Sequence, residues 1–345
     1  GVSPGSAPGV VAAAEVAGAA RLGPLQLQWR PYCFALPQAM VTSQGAWSER
    51  AGWLLRLEAA DGRLGWGEAV AEPEQRRGLT AAMADLPAEL DRPALETLLP
   101  QLRKPLACAL GMALAELDGL GSSASGGWRA APPSAFLLPA GEAALAALDE
   151  ALQVAAAAGH PPTVKWKVAA AADAQERRLL DLLLAQLPAN GRLRLDANGG
   201  WDRATAQAWA QRLLAEPRLE WLEQPLPPDD RAGLEALARQ LPVALDESLR
   251  CADGWQPGAD WLGWLVRRPL LEGDPRPLVA ALKVGTPRLM LSTALETGIG
   301  RRLLQHLAAL QADGPTPTAP GLAPGWRPEG DLFAADPERV WSAAA

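Results

Sequence analysis

From Pro133 onward the sequence keeps a beat. Short apolar runs fall at Ala135–Leu138, Thr163–Val168, Leu193–Asp196, Leu219–Glu223, Val243–Asp246, Trp261–Val266 and Leu289–Ser292. Helical spacing fills the gaps, at Ala171–Leu187, Arg203–Ala215, Asp229–Gln240, Pro277–Leu282 and Arg301–Ala312. A short apolar strand that recurs after each amphipathic helix has both faces covered, so it belongs to a parallel sheet. About seven such units in a row predict a β/α barrel of the TIM type.

The preceding stretch is built differently. Trp53–Glu58, an Asp61-Gly62 turn and Leu64–Glu68 read as a hairpin, and Pro105–Leu120 reads as an amphipathic helix. The expected organisation is a flexible tail over 1–20, an α+β capping domain over 21–130 and the barrel over 131–312. A Pro- and Gly-rich return over 313–345 is expected to pack on the cap.

In a β/α barrel the strand ends carry the chemistry. Here one charged position arrives per strand: Lys165 and Lys167, then Asp196, Glu223, Asp246 and Arg268. The two lysines are two residues apart and share a face. A single acid at a strand end commonly caps the next helix, and a lone Lys-x-Lys is commonly a solvated face. Three acids on three successive strands, at steps of about 22 to 29 residues from Lys167 to Arg268, are another matter. Together they repel unless a hard cation neutralises them. Oxygen ligands alone suit Mg²⁺, with Mn²⁺ as the alternative.

Composition narrows the chemistry further. There are two histidines, His160 and His306, and three separated cysteines, Cys33, Cys108 and Cys251, with no CxxC pair. A His-rich zinc centre and a disulfide framework are therefore excluded as expectations, and a reducing, cytoplasmic setting is the natural one. A net charge of −7 argues against nucleic acid and acidic membrane surfaces as partners. No stretch is apolar enough to read as a membrane span. The expected partner is a small carboxylate substrate.

The stretches TVKWKV, LRLDANGGW, LEWLEQPL, VALDESL and LSTALETGIG, in this order, resemble the enolase superfamily. Within its muconate-lactonizing subgroup they look like the o-succinylbenzoate synthase family. The resemblance runs from about Leu25 to the C-terminus and is strongest over Thr163–Gly300. It implies metal ligands at Asp196, Glu223 and Asp246, with Asn198 and Glu247 behind them. It implies Lys167 as acid/base with Lys165 as its electrostatic partner, and Ser292 and Thr293 lining the substrate. Residues around Val41–Arg50 are expected to meet a succinyl tail. The implied reaction is a metal-dependent dehydration that forms o-succinylbenzoate in quinone biosynthesis. The alternatives are a related lyase, a cycloisomerase, an N-succinylamino acid racemase, or a silent barrel that only binds.

One residue departs from the pattern. The family usually has a lysine before proline on the strand opposite; this chain has Arg268 in Val266-Arg267-Arg268-Pro269. Arginine stays protonated and is a poor base. A racemase needs a proton acceptor on each face of its substrate, whereas a same-side elimination needs one. Arg268 therefore favours the dehydratase and leaves the cation opposite Lys167 to stabilise negative charge.

Overall fold

Alternation decides the N-terminal architecture. In a computed structural model, which describes residues 23–42, 45–251 and 255–344, four antiparallel strands form one sheet. They are β1 (Leu25–Thr42), β2 (Gly45–Glu58), β3 (Leu64–Ala71) and β4 (Glu89–Leu90), in the order β3-β2-β1-β4. Helices α1 (Arg76–Ala84), α2 (Arg92–Leu98) and α3 (Lys104–Leu117) follow. Helix α3 lies directly on β3. A Cβ on Gly65 or Gly67 would stand 2.2 or 2.0 Å from the carbonyl oxygens of Ala113 and Ala109, so only glycine lets the backbones meet. The tail expected over 1–20 lies outside the described residues, as do positions 43–44 of the loop expected to meet a succinyl group.

The second unit is a seven-stranded parallel sheet. It comprises β5 (Phe136–Leu138), β6 (Thr163–Lys167), β7 (Arg192–Asp196), β8 (Leu219–Glu223), β9 (Val243–Leu245), β10 (Trp264–Arg267) and β11 (Leu289–Leu291). Between and after them run α4 (Ala143–Ala158), α5 (Asp173–Gln186), α6 (Arg203–Leu213), α7 (Arg231–Ala238), α8 (Arg276–Val284) and α9 (Gly298–Ala312). A last helix, α10 (Pro337–Ala343), follows. The expected α/β barrel with an α+β cap is the fold observed.

The period of two sorts the strand residues into two cores. Val164, Trp166, Leu193, Leu195, Leu222 and Leu245 pack outward against the helices. Trp221, Ala244, Val266 and Met290, with Trp264 beside them, form a separate cluster inside the sheet's curve. Trp166, Trp209 and Trp221 are wholly buried, and Trp201 stacks on Trp209 at 4.9 Å. The chain has 14 tryptophans, and these four supply buried area to the barrel's walls.

The seven strands are closed by a segment with no strand pattern of its own. Gly321 bridges to Ser292 in parallel, its N–H donating to the Leu291 carbonyl at 2.8 Å. On the other side Ala135 N–H donates to the Pro320 carbonyl at 3.0 Å. Residues around 320 therefore span the gap between β11 and β5. Only then does the chain return to the cap, where Arg30 donates to the Trp341 carbonyl at 2.7 Å and Phe34 meets Phe333 edge-on at 4.9 Å.

Candidate active site

Register places the site. Lys167, Asp196, Glu223 and Ala244 stand in one row across β6 to β9, at the C-terminal ends of the strands. Asp246 is two residues beyond Ala244 and so projects to the same side. Just past these ends the backbone is twisted into the left-handed region at non-glycine residues: Ala169 (φ 57°), Asn198 (φ 48°), Gln224 (φ 40°) and Leu295 (φ 62°). Such residues persist where the surroundings force them, commonly at functional sites.

Asp196 and Glu223 converge on one cation. Lys165 Nζ lies 3.5 Å from Asp196 Oδ2 and 3.4 Å from Glu223 Oε2. Trp221 Nε1 donates to Glu223 Oε1 at 3.1 Å, which fixes a carboxylate that is fully buried. Burial, with Glu223 and then the other acids beside it, pushes the Asp196 carboxyl well above its usual range, against the pull of Lys165. Burial would lower the Lys165 ammonium, but Glu223 and Asp196 outweigh it and raise it.

Asp246 is engaged elsewhere. Arg268 forks it, Nε to Oδ1 at 3.0 Å and Nη2 to Oδ2 at 2.9 Å, and Arg250 Nη1 reaches Oδ1 at 2.6 Å. Burial opposes ionisation of Asp246, but the two guanidiniums overcome it and hold the carboxyl far below the usual range. Among the described residues no three His, Cys, Asp or Glu side chains enclose a common point as an ion would need. The expected triad is thus assembled on one face, with two members together and the third drawn aside by a bidentate arginine. Sequence spacing gives the strand end but not the rotamer, so this could not be read in advance.

Asn198 links Asp196 to Glu247. Asn198 N–H donates to Asp196 Oδ1 at 3.1 Å, and its amide reaches Glu247 Oε1 at 3.0 Å. Glu247 Oε2 is buried without a partner. A hard-oxygen set of this charge, with one buried carboxylate oxygen unsatisfied, fits a divalent cation in chemistry. Gln224 was not foreseen as a fastener. Its Oε1 accepts from the Asp246 and Ser248 amides, both at 3.1 Å, joining the ends of β8 and β9.

Lys165 and Lys167 alternate with buried Val164 and Trp166, which confirms their common face; Lys167 is the exposed one. Ser292 and Thr293 are buried at the end of β11, and their hydroxyls are committed. Ser292 donates to the Gly321 carbonyl at 3.3 Å, and Thr293 to Glu296 Oε2 at 2.8 Å. Arg50, on β2 of the cap, is buried and bonds the Ala294 carbonyl. His306 is structural, accepting from Arg129 N–H at 3.1 Å through Nδ1.

Known proteins are similar to this chain over most of its length. A protein from Thermosynechococcus vestitus named o-succinylbenzoate synthase is 36% identical over 296 residues, 82% of this chain and 88% of that one. The chain belongs to the o-succinylbenzoate synthase family. A family description, Enolase C-terminal domain-like, matches residues 146–259, the stretch that holds all three acids and both lysines. A second o-succinylbenzoate synthase, from Yersinia enterocolitica, is 31% identical over 301 residues, covering 84% and 87% of the two chains. A crystal structure of o-succinylbenzoate synthase from Thermosynechococcus elongatus BP-1, complexed with Mg in the active site, is 32% identical. It aligns with a TM-score of 0.74 over 92% of this chain and 99% of that one. No helix among the described residues is long and apolar enough to cross a membrane.

Proposed function

We propose that this protein is a carbon–oxygen lyase that dehydrates 2-succinyl-6-hydroxy-2,4-cyclohexadiene-1-carboxylate to o-succinylbenzoate, in the cytoplasm, on the route to menaquinone or phylloquinone. The observation that carries the reading is the row of Lys167, Asp196 and Glu223, with Asp246 beside it, in a chain of this family. Asp196, Glu223 and Asp246 would hold Mg²⁺, or Mn²⁺ in its place, with Asn198 fixing Asp196 from behind and Glu247 holding the Asn198 amide. A divalent cation bound there supplies Lewis-acid stabilisation of negative charge on the substrate carboxylate.

Lys167 takes the proton α to that carboxylate and then delivers it to the departing hydroxyl on the same side. Lys167 is exposed beside Asp196 in the row, which leaves it free to meet a substrate. Lys165, bound to two acids, keeps its charge and orients the carboxylates. Arg268, also permanently charged, stabilises the enediolate from the opposite face. Ser292 and Thr293 contribute the wall of the site through the end of β11.

The test is an ultraviolet assay of the purified protein with the cyclohexadiene acid, with and without Mg²⁺. Aromatisation changes the chromophore, so metal-dependent turnover is read directly. A folded protein that gives no turnover with Mg²⁺ or Mn²⁺ refutes the reading.

A further inference from the structure

Arg268 does not stand alone. Its third nitrogen, Nη1, donates to the Thr293 carbonyl at 2.5 Å. That carbonyl begins a tight turn, Thr293–Thr297, with Leu295 in the left-handed region at φ 62°. Glu296 closes the turn internally, accepting from Ala294 N–H at 2.9 Å and from the Thr293 hydroxyl. A non-glycine turn of this kind holds its shape only if its ends are tied.

The barrel ties the turn through Arg268, through Thr293 N–H to the Gly321 carbonyl at 2.9 Å and through Arg301 at 3.8 Å from Glu296; two further ties come from the capping sheet. Arg50, at the middle of β2, is 3% exposed and donates to the Ala294 carbonyl. Glu68, on β3, is 0% exposed and reaches the N-terminus of α9. Its carboxylate accepts from Thr297 N–H at 3.0 Å, from Gly300 N–H at 3.0 Å, from the Thr297 hydroxyl, and from the Tyr32 hydroxyl at 2.7 Å. An anion at the start of a 15-residue helix is favoured by the helix dipole and by the unpaired amides there. Gly300 is part of the fit: a Cβ there would lie 3.0 Å from Glu68 Oε1.

We propose that Glu68 and Arg50 are positioning residues for the reaction: from the capping sheet they set the Thr293–Thr297 turn, and through the Thr293 carbonyl they set Arg268. The cap thereby does more than cover the barrel mouth. Together with the Asp246 fork it sets where the cation opposite Lys167 points. The kinetic part of this inference rests on the synthase reading; the structural part does not.

The experiment uses Glu68→Gln, which keeps shape and removes charge, in two backgrounds, the unmutated chain and Arg268→Lys. Lysine is the residue usual in the family at that position, and it cannot fork Asp246 while holding Thr293. The first readout is the ¹⁵N–¹H signal of Arg268 Nε, assigned by its loss in Arg268→Lys. In E68Q its hydrogen exchange is expected to quicken by roughly tenfold or more, as a local tie is lost. The second is turnover. E68Q is expected to lower kcat roughly tenfold with KM little changed, and to cost less than about twofold in the Arg268→Lys background. Unchanged exchange at Arg268 overturns the proposal. So does an equal loss of kcat in both backgrounds, which marks a merely structural role. If the unmutated protein shows no turnover, the synthase reading falls and the exchange measurement alone decides this one. If E68Q fails to fold, Arg50→Lys carries the same two readouts.

Discussion

Replacing Asp196 by asparagine should make the protein more stable and insensitive to its metal. Asp196 shares its surroundings with Glu223, Glu247 and Asp246, and Lys165 bridges it to Glu223. Its carboxyl is pushed up, chiefly by burial and by Glu223. A carboxyl raised on folding binds its proton more tightly in the native state, so its ionisation weakens the fold as pH rises. Below the unfolded value, near pH 3.9, the penalty is absent; above the raised folded value it is complete. In EDTA, Asp196→Asn should therefore raise Tm at neutral pH, and the gain should shrink to nothing as pH falls toward 4. The metal supplies the other half of the test. At a concentration about 100-fold above Kd a ligand stabilises its protein by about 2.7 kcal/mol. For 345 residues the unfolding entropy is about 0.7 kcal/mol per degree, so Mg²⁺ should raise the unmutated Tm by about 4 °C. Asp196→Asn should show little of that shift. Differential scanning calorimetry at several pH values, with EDTA or Mg²⁺, reads both effects. A variant that is less stable in EDTA, or that still gains the full 4 °C with Mg²⁺, refutes the electrostatic account of the site.

Lys167→Ala should lower kcat by roughly 10³ or more while leaving Mn²⁺ binding intact by electron paramagnetic resonance; retained turnover removes Lys167 as the base. Arg268→Lys should allow racemisation of N-succinyl amino acids, followed by polarimetry, if arginine is what denies the second face a proton acceptor; if the variant remains inert, that explanation is wrong. Arg194 is fully buried and paired to Glu220 at 2.5 Å inside the barrel. Arg194→Met leaves that carboxylate without its cation, with only the Thr318 hydroxyl at 3.0 Å, and should cost about 3–5 kcal/mol by urea denaturation; a loss under 1 kcal/mol would mean that the hydroxyl and solvent suffice for Glu220.

The barrel was legible because its signal repeats. Each strand from Phe136 to Leu291 overlaps one of the apolar runs, with Arg192 and Arg267 lying one residue outside them, and the Asp61-Gly62 turn joins β2 and β3 as a hairpin. The strand-end charges were legible for the same reason, since register converts even spacing into a row. Three things were not. The Arg268 fork on Asp246 depends on a rotamer that no periodicity encodes. Arg194 meets Glu220 because pairing between β7 and β8 slips after Leu193, and a bulge leaves no mark in an otherwise regular strand. Glu68 reads as one polar residue in a hairpin, and its partners on α9 lie more than two hundred residues away.

The closure of the barrel by residues around 320 has a consequence for how the protein is made. β5 emerges from the ribosome early, but the segment that covers its free side is about 180 residues downstream. At 5–20 residues per second that is a wait of roughly 10–40 s. Throughout it the growing sheet carries an open edge, the kind of surface on which chains pair with one another. The protection available is brevity: β5 offers only Phe136–Leu138 to a stray strand. Conditions that slow translation over the last third of the message should therefore reduce soluble yield more than an equal delay placed within the capping sheet.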